Sequence, residues 1–214
     1  MIFVLSDGNS VANNYLLELR DRDIQKDPMR FRKNVERLGE IMAYEVSKKL
    51  RYVQTAIETP LGRAKSATLA EQPVLVTILR AGLPYFNGFL NFFDKAESGF
   101  IGAYRQESGQ GITINLEYLA TTSLSGKTII LIDPMLATGR SVINALRAMK
   151  RNGEPMHVHI VSLVAAPEGV AYLNEKMNLP YSLWTCAVDE KLDENYYIVP
   201  GLGDAGDLSF GNKI

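Results

Sequence analysis

The chain has 214 residues, 46% of them hydrophobic, with 23 Lys and Arg against 24 Asp and Glu and a formal net charge of −1. That length fits one domain burying about 70–75% of the surface its unfolded chain exposes, enough to hold without disulfides. The balanced charge argues against a nucleic-acid partner, which demands a strongly basic face, and no apolar run approaches the roughly 18 residues of a membrane span.

In chain order, Ile2 to Leu5 reads as a short strand. Its apolar run is too short and too poor in basic residues for a secretory signal. The single cysteine, Cys186, has no internal partner for a disulfide, so the expectation is a soluble, cytoplasmic protein. Asp27 before Pro28 is an N-cap with proline at the first helical position. Phe31, Val35, Leu38, Met42, Val46 and Leu50 then recur every three or four residues and predict an amphipathic helix. Val53, Thr55 and Ile57 alternate up to a break at Pro60-Leu61-Gly62. Pro73 to Leu79 reads as a buried strand ending at Arg80, and Leu83 to Phe93 as a helix. Phe100 to Arg105 and Ile112 to Leu119 form a predicted hairpin arm, about residues 100–120, with a glycine-bearing tip near Gly109.

Thr128 to Ile132 is an apolar run rich in isoleucine, the pattern of a strand buried on both faces. A helical pattern follows, with Val142, Leu146 and Met149 on one side. His157 to Ala166 reads as a strand, Pro167 to Met177 as a helix and Tyr181 to Val188 as a strand. Asp189 to Glu194 reads as a solvated turn, and Tyr197 to Gly211 as a loop rich in glycine and aspartate. This alternation predicts an α/β fold, a mostly parallel sheet with helices on both faces. The arm and a C-terminal loop over about 195–211 are additions to a single domain spanning 1–214. Ligands of such sheets bind outside the carboxyl ends of the strands, where Arg80 and Asp133 fall.

Between the strand ending at Ile132 and its helix lies Asp133-Pro134-Met135-Leu136-Ala137-Thr138-Gly139-Arg140-Ser141. An acid followed by small residues entering a helix N-terminus can hold a sugar and a phosphate together. The carboxylate accepts from ribose hydroxyls, and the free amides and helix dipole favour the anion. Neither the Gly-Lys-Ser/Thr ending of a P-loop nor a Gly-x-Gly-x-x-Gly fingerprint is present. The second informative string is Ile198-Val199-Pro200-Gly201-Leu202-Gly203-Asp204-Ala205-Gly206-Asp207, with four small residues among 201–206. Glycines let a flat base approach the backbone closely. Cys186 and Trp184 read as core. His157 and His159 share one face of a strand and read as packing residues rather than a metal pair.

The two strings, together with Glu58 to Gly62, Ile78 to Leu83 and Ala103 to Arg105, resemble the uracil phosphoribosyltransferase family, a branch of the type I phosphoribosyltransferases. The resemblance covers roughly residues 10–214. It implies transfer of a phosphoribosyl group from PRPP (phosphoribosyl pyrophosphate) to N1 of uracil, giving UMP and pyrophosphate, with Mg2+ as cofactor. It also implies roles. Residues Asp133 to Ser141 and Asp204 bind PRPP; Arg80 and Arg105 face the pyrophosphate; Ile198, Gly203, Asp204 and Ala205 contact uracil; and Asp133, Arg80 and Arg105 carry catalysis. Closure of the arm near Gly109 would exclude water.

Relatives are homodimers or larger, and some respond to GTP. The Phe31–Leu50 helix and the Leu83–Phe93 stretch are the sequence's own candidates for a self-association surface. Two positions depart from the family: Arg140 stands where glycine is usual, and Leu208-Ser209 where many relatives have Arg-Leu. A non-catalytic regulator on the same fold, an enzyme for another base and a generic α/β nucleotide-binding protein are the competing readings.

Overall fold

The computed structural model describes residues 1–108 and 111–213, with side chains outside 103–117. Its strands, in chain order, are β1 (Ile2–Val4), β2 (Tyr52–Thr59), β3 (Gly62–Leu69), β4 (Val74–Leu79), β5 (Ser98–Ser108), β6 (Gly111–Ala120), β7 (Thr128–Ile132), β8 (Met135–Leu136), β9 (His157–Ala165), β10 (Tyr181–Val188), β11 (Lys191–Leu192) and β12 (Ile198–Val199). The α-helices are α1 (Val11–Arg20), α2 (Pro28–Ser47), α3 (Leu83–Leu90), α4 (Arg140–Met149), α5 (Pro167–Lys176) and α6 (Ala205–Phe210).

The main sheet runs β1-β10-β9-β7-β4-β5-β6, with β8 beside the end of β9. All pairs are parallel except the β5–β6 hairpin. The predicted arm is therefore present, and its tip near Gly109 lies outside the described residues. Alternate residues of the central strands feed opposite cores. Leu75, Ile130, Ile132 and Val161 pack toward α1, α2 and α3. Val76, Ile129, Leu131 and Ile160 pack toward α4 and α5. This two-sided burial explains why those strands are apolar throughout rather than alternating.

Asp27 caps α2 as expected, its Oδ1 accepting the Met29 and Arg30 amides at 2.9 and 3.1 Å. The sequence reading missed α1. Its N-cap, Ser10, accepts the Ala12 amide at 3.2 Å, and Ala12, Leu16 and Leu19 are buried. It also missed β3, which pairs with β2 as a separate two-stranded arm from Tyr52 to Leu69. The apolar faces of α2 and α3 pack into the molecule's own core, with Phe31, Leu38, Met42, Tyr85 and Phe89 nearly inaccessible. Large apolar side chains stay exposed at Met29 and Tyr44 of α2 and at Phe92, and on the β2–β3 arm at Ile57 (59%) and Leu61 (99%). Among the described residues no helix is long and apolar enough to cross a membrane.

Candidate active site

Strands β4 and β7 are parallel neighbours, Thr77 opposite Ile132, so Arg80 and Asp133 leave the sheet side by side at its carboxyl end. From β4 the chain passes through α3 on one face to β5, and from β7 through α4 on the other face to β9. The connections diverge here, which opens the crevice where doubly wound sheets bind ligands.

Asp133 is half-buried, and its Oδ1 accepts the Met135 amide at 3.2 Å. Loss of solvent pushes its carboxyl up to about 6, and the Met135 hydrogen bond offsets only part of that. Among the described residues no salt bridge neutralises it.

The residues after Asp133 divide into scaffold and surface. Pro134 and Leu136 are buried, and their carbonyls accept from Leu163 and Ala166 at 2.9 Å, fixing the loop to β9. Their side chains belong to the frame rather than to a ligand-facing set. Ala137, Thr138 and Ser141 are partly open and Arg140 is exposed. Gly139 caps α4 with φ of 74° and has no side chain to bond the first turn. Apart from the Arg140 amide, which reaches Thr138 Oγ1 at 3.4 Å, the first-turn amides and the positive end of the helix dipole are left to an anion. A Cβ at Gly139 would lie 3.0 Å from the Gly169 carbonyl oxygen and 3.3 Å from the Tyr172 ring. The departure at Arg140 thus has a local answer: it is the first residue of α4, and the left-handed position is Gly139.

The C-terminal string closes the crevice from the other side. The reading of 195–211 as loop is corrected, for it contains β12 and the six-residue helix α6. Ile198, Leu202 and Ala205 bury their side chains in the core, so between them the segment offers mainly backbone. Gly201 and Gly203 turn it with φ of 58° and 89°. Asp204 caps α6, its Oδ1 accepting the Gly206 and Asp207 amides at 2.8 and 2.9 Å. Burial opposes its charge, but the Asp207 amide, the Lys213 ammonium and the Gly206 amide outweigh that and hold its carboxyl below the ordinary value. Arg80 Nη2 donates to Asp207 Oδ1 at 2.8 Å and to the Gly211 carbonyl at 3.2 Å. It thereby joins the end of β4 to α6. Arg105 lies in β5 opposite Ile114, with its side chain outside the described residues.

Sequence reasoning missed two anchors of this segment. Arg32 of α2 donates to the Ser209 carbonyl at 2.7 Å. Asp189, read as part of a solvated turn, has a side chain only 5% exposed and pairs with Arg20. Burial pushes the Cys186 thiol up to about 12, leaving it inert. His157 and His159 do share a face, their ring centroids 4.6 Å apart. His159 Nδ1 accepts the Trp184 indole N–H at 3.0 Å, and burial pushes its pKa down to about 4.

Comparison with known proteins points to one family. The family model for uracil phosphoribosyltransferase matches residues 8–212. A uracil phosphoribosyltransferase of Porphyromonas gingivalis is 45% identical over 211 residues, covering 98% of both chains. One from Methanothermobacter thermautotrophicus is 36% identical, covering 95% of this chain and 93% of its own. The solved structure of the AQ2163 protein from Aquifex aeolicus superposes with a TM-score of 0.88 at 31% identity over the whole of both chains. The chain belongs to the uracil phosphoribosyltransferase family.

Proposed function

We propose that the protein transfers the phosphoribosyl group of PRPP to N1 of uracil, releasing pyrophosphate and forming UMP. What supports this reading is that β4 and β7 end side by side, so that Arg80 and Asp133 leave neighbouring strands, that Gly139 leaves α4 without a side-chain cap, and that Arg80 reaches Asp207 of α6 at 2.8 Å.

The 5-phosphate sits against the first turn of α4, where Thr138 and Ser141 add hydroxyl donors. Asp133 accepts from the ribose hydroxyls and fixes the sugar. Breaking the anomeric C–O bond builds positive charge on the ribose ring and negative charge on the departing pyrophosphate. Arg80 stabilises the second charge, a role the family resemblance also gives to Arg105. Uracil N1 attacks the opposite side of the anomeric carbon, the base held edge-on by backbone groups of Ile198, Gly203 and Ala205. Positioning and fixed charge carry the acceleration, so no protein nucleophile is required.

Mg2+ fits as an ion brought by PRPP. A hard divalent cation takes six or more oxygens, and among the described residues no three acidic, histidine or cysteine groups converge to supply them. Asp204 and Asp207 are engaged by backbone amides, Lys213 and Arg80; Asp133 is the carboxylate left to face the ion, which would neutralise the leaving group. Self-association is supported by the β2–β3 arm. A lone two-stranded hairpin is marginal in water, and this one exposes Tyr52, Val53, Ile57 and Leu61, so a second copy of the chain is its natural cover. Leu61→Asp is expected to lower the molar mass measured by light scattering; an unchanged mass overturns that assignment.

Purified protein given uracil, PRPP and Mg2+ is expected to form UMP and pyrophosphate in equal amounts, and to leave cytosine and hypoxanthine unreacted. Folded protein that yields neither product overturns the reading.

A further inference from the structure

The geometry points to Arg20 and Asp189 as positioning residues for the base site: one ion pair, outside the loop it serves, sets the spacing of the backbone groups that read uracil. The inference rests on the function proposed above. Asp189 follows β10, and Arg20 is the last residue of α1. Their contact is bidentate, Nη2 to Oδ1 at 2.6 Å and Nη1 to Oδ2 at 2.9 Å, the geometry that makes an arginine–carboxylate pair both strong and directional. Asp189 Oδ2 also accepts the Gly201 amide at 2.9 Å. Arg20 Nη1 also donates to the Gly201 carbonyl at 3.0 Å. Both polar groups of one glycine are thus held by the two halves of one salt bridge.

Gly201 lies between Ile198 and Gly203, two of the positions assigned to uracil. It is left-handed at φ of 58°, and a Cβ on it would sit 2.1 Å from the Ile198 carbonyl oxygen. Glycine is required there, yet glycine has the most conformational freedom to lose. Backbone donors and acceptors recognise a base only if they are already in place; otherwise binding must order them at a free-energy cost. The pair removes that freedom before uracil arrives. Neither side chain needs to touch the base.

The contacts also explain why such a clamp is ionic. The site is almost dry on the aspartate side, at 5% exposure, while the arginine keeps 22%. Two simultaneous bonds to one peptide require an acceptor and a donor whose mutual orientation is fixed. A bidentate pair provides that orientation, and a neutral side chain alone does not.

The test compares Asp189→Ala with the charge-free double variant Arg20→Met/Asp189→Asn, which leaves no buried charge unpaired and retains an amide oxygen for Gly201. Steady-state kinetics are measured for both substrates, and PRPP binding alone by calorimetry. For Asp189→Ala the expected result is a rise in KM for uracil of at least tenfold, with PRPP affinity changed less than twofold. Amide exchange over residues 198–204 should accelerate, and the double variant should recover part of the lost uracil affinity.

An unchanged uracil KM overturns the inference. So does a parallel loss of PRPP and uracil affinity, which is the signature of a merely structural contact. If Asp189→Ala does not fold, the double variant decides on the same two constants: a raised uracil KM with PRPP affinity held supports the clamp, and a uracil KM equal to that of the wild type overturns it. Wild-type protein that makes no UMP refutes the proposed function instead, a result distinct from all of these.

Discussion

Asp133 and the loop behind it stand on β7 and β9, strands whose apolar side chains are inaccessible to solvent. The glycines of 201–203 stand on a two-residue strand and a six-residue helix. On the sheet side, position comes from packing: hydrogen bonds from Leu163 and Ala166 hold the loop to a fully buried strand. On the C-terminal side, Ile198, Leu202 and Ala205 anchor in the core, but the glycine-rich turn and the end of α6 are held by charged side chains reaching in from α1, α2 and the end of β4, namely Arg20, Arg32 and Arg80. The PRPP half of the crevice is therefore vulnerable chiefly at groups that touch ligand, and the uracil half at groups that do not.

The largest separation of the two halves comes from Asp133→Ala. Two charge-assisted bonds to ribose hydroxyls, at about 2 kcal/mol each, predict a fall of roughly a thousandfold in kcat/KM for PRPP. Uracil-side geometry, read by amide exchange over 198–204, should not change. A loss below tenfold would remove Asp133 from the role given to it.

Gly139→Ala attacks the sheet side through the backbone. Forcing a side chain into the left-handed region costs about 1–2 kcal/mol, and the Gly169 carbonyl, 3.0 Å from the new Cβ, must give way as well. The expected outcome is a fall in Tm of roughly 3–6 °C with weakened PRPP binding and an unaltered uracil KM. An unaltered Tm would mean the loop relaxes in a way its hydrogen bonds to β9 argue against.

The pH dependence belongs to the same half. The folded-state pKa of Asp133, about 6, lies above the ordinary 3.8. Its contribution to stability is therefore complete below about pH 4 and is lost as pH rises through 6. Asp133→Asn should be more stable than wild type at pH 7 by up to about 3 kcal/mol, the two converging toward pH 4, as denaturant unfolding at several pH values will show. PRPP affinity runs the other way: it should weaken as pH falls from 7 to 5 and the carboxylate is protonated. Asp133→Asn should lose that part of the dependence and leave only the titration of the phosphates.

The same division governs what the sequence reveals. β4, β7 and α4 were legible because burial on both faces, or along one helical stripe, writes itself into consecutive residues. Asp133 was legible because it ends such a run. Asp189 was not: its neighbours Glu190 and Lys191 are exposed, and the cause of its burial, Arg20, is 169 residues away. The Arg80–Asp207 pair, 127 residues apart, was hidden in the same way. The β2–β3 arm was half legible because a strand with no buried face has no period to follow. For α1 the signal is present in Ser10 followed by Ala12, Leu16 and Leu19, but it is shorter and fainter than the pattern of α2.

Arg140 offers the finest test of the sheet side. Family resemblance sets a glycine there, yet the residue is exposed, helical and first in α4, so its backbone needs no glycine. Two opposing effects follow from its charge. A cation at a helix N-terminus is disfavoured by the dipole, by a few tenths of a kcal/mol up to about 1, while the same cation attracts a phosphate bound to that turn. Glycine in place of arginine removes both and costs the helix at most about 1 kcal/mol of propensity. The terms nearly cancel, so Arg140→Gly should keep kcat/KM within about threefold of wild type, and its PRPP affinity should depend less on salt. A loss greater than tenfold, about 1.4 kcal/mol, with Tm unchanged, would make the guanidinium a phosphate ligand peculiar to this chain. The sheet side would then share with the C-terminal side its reliance on a long charged arm.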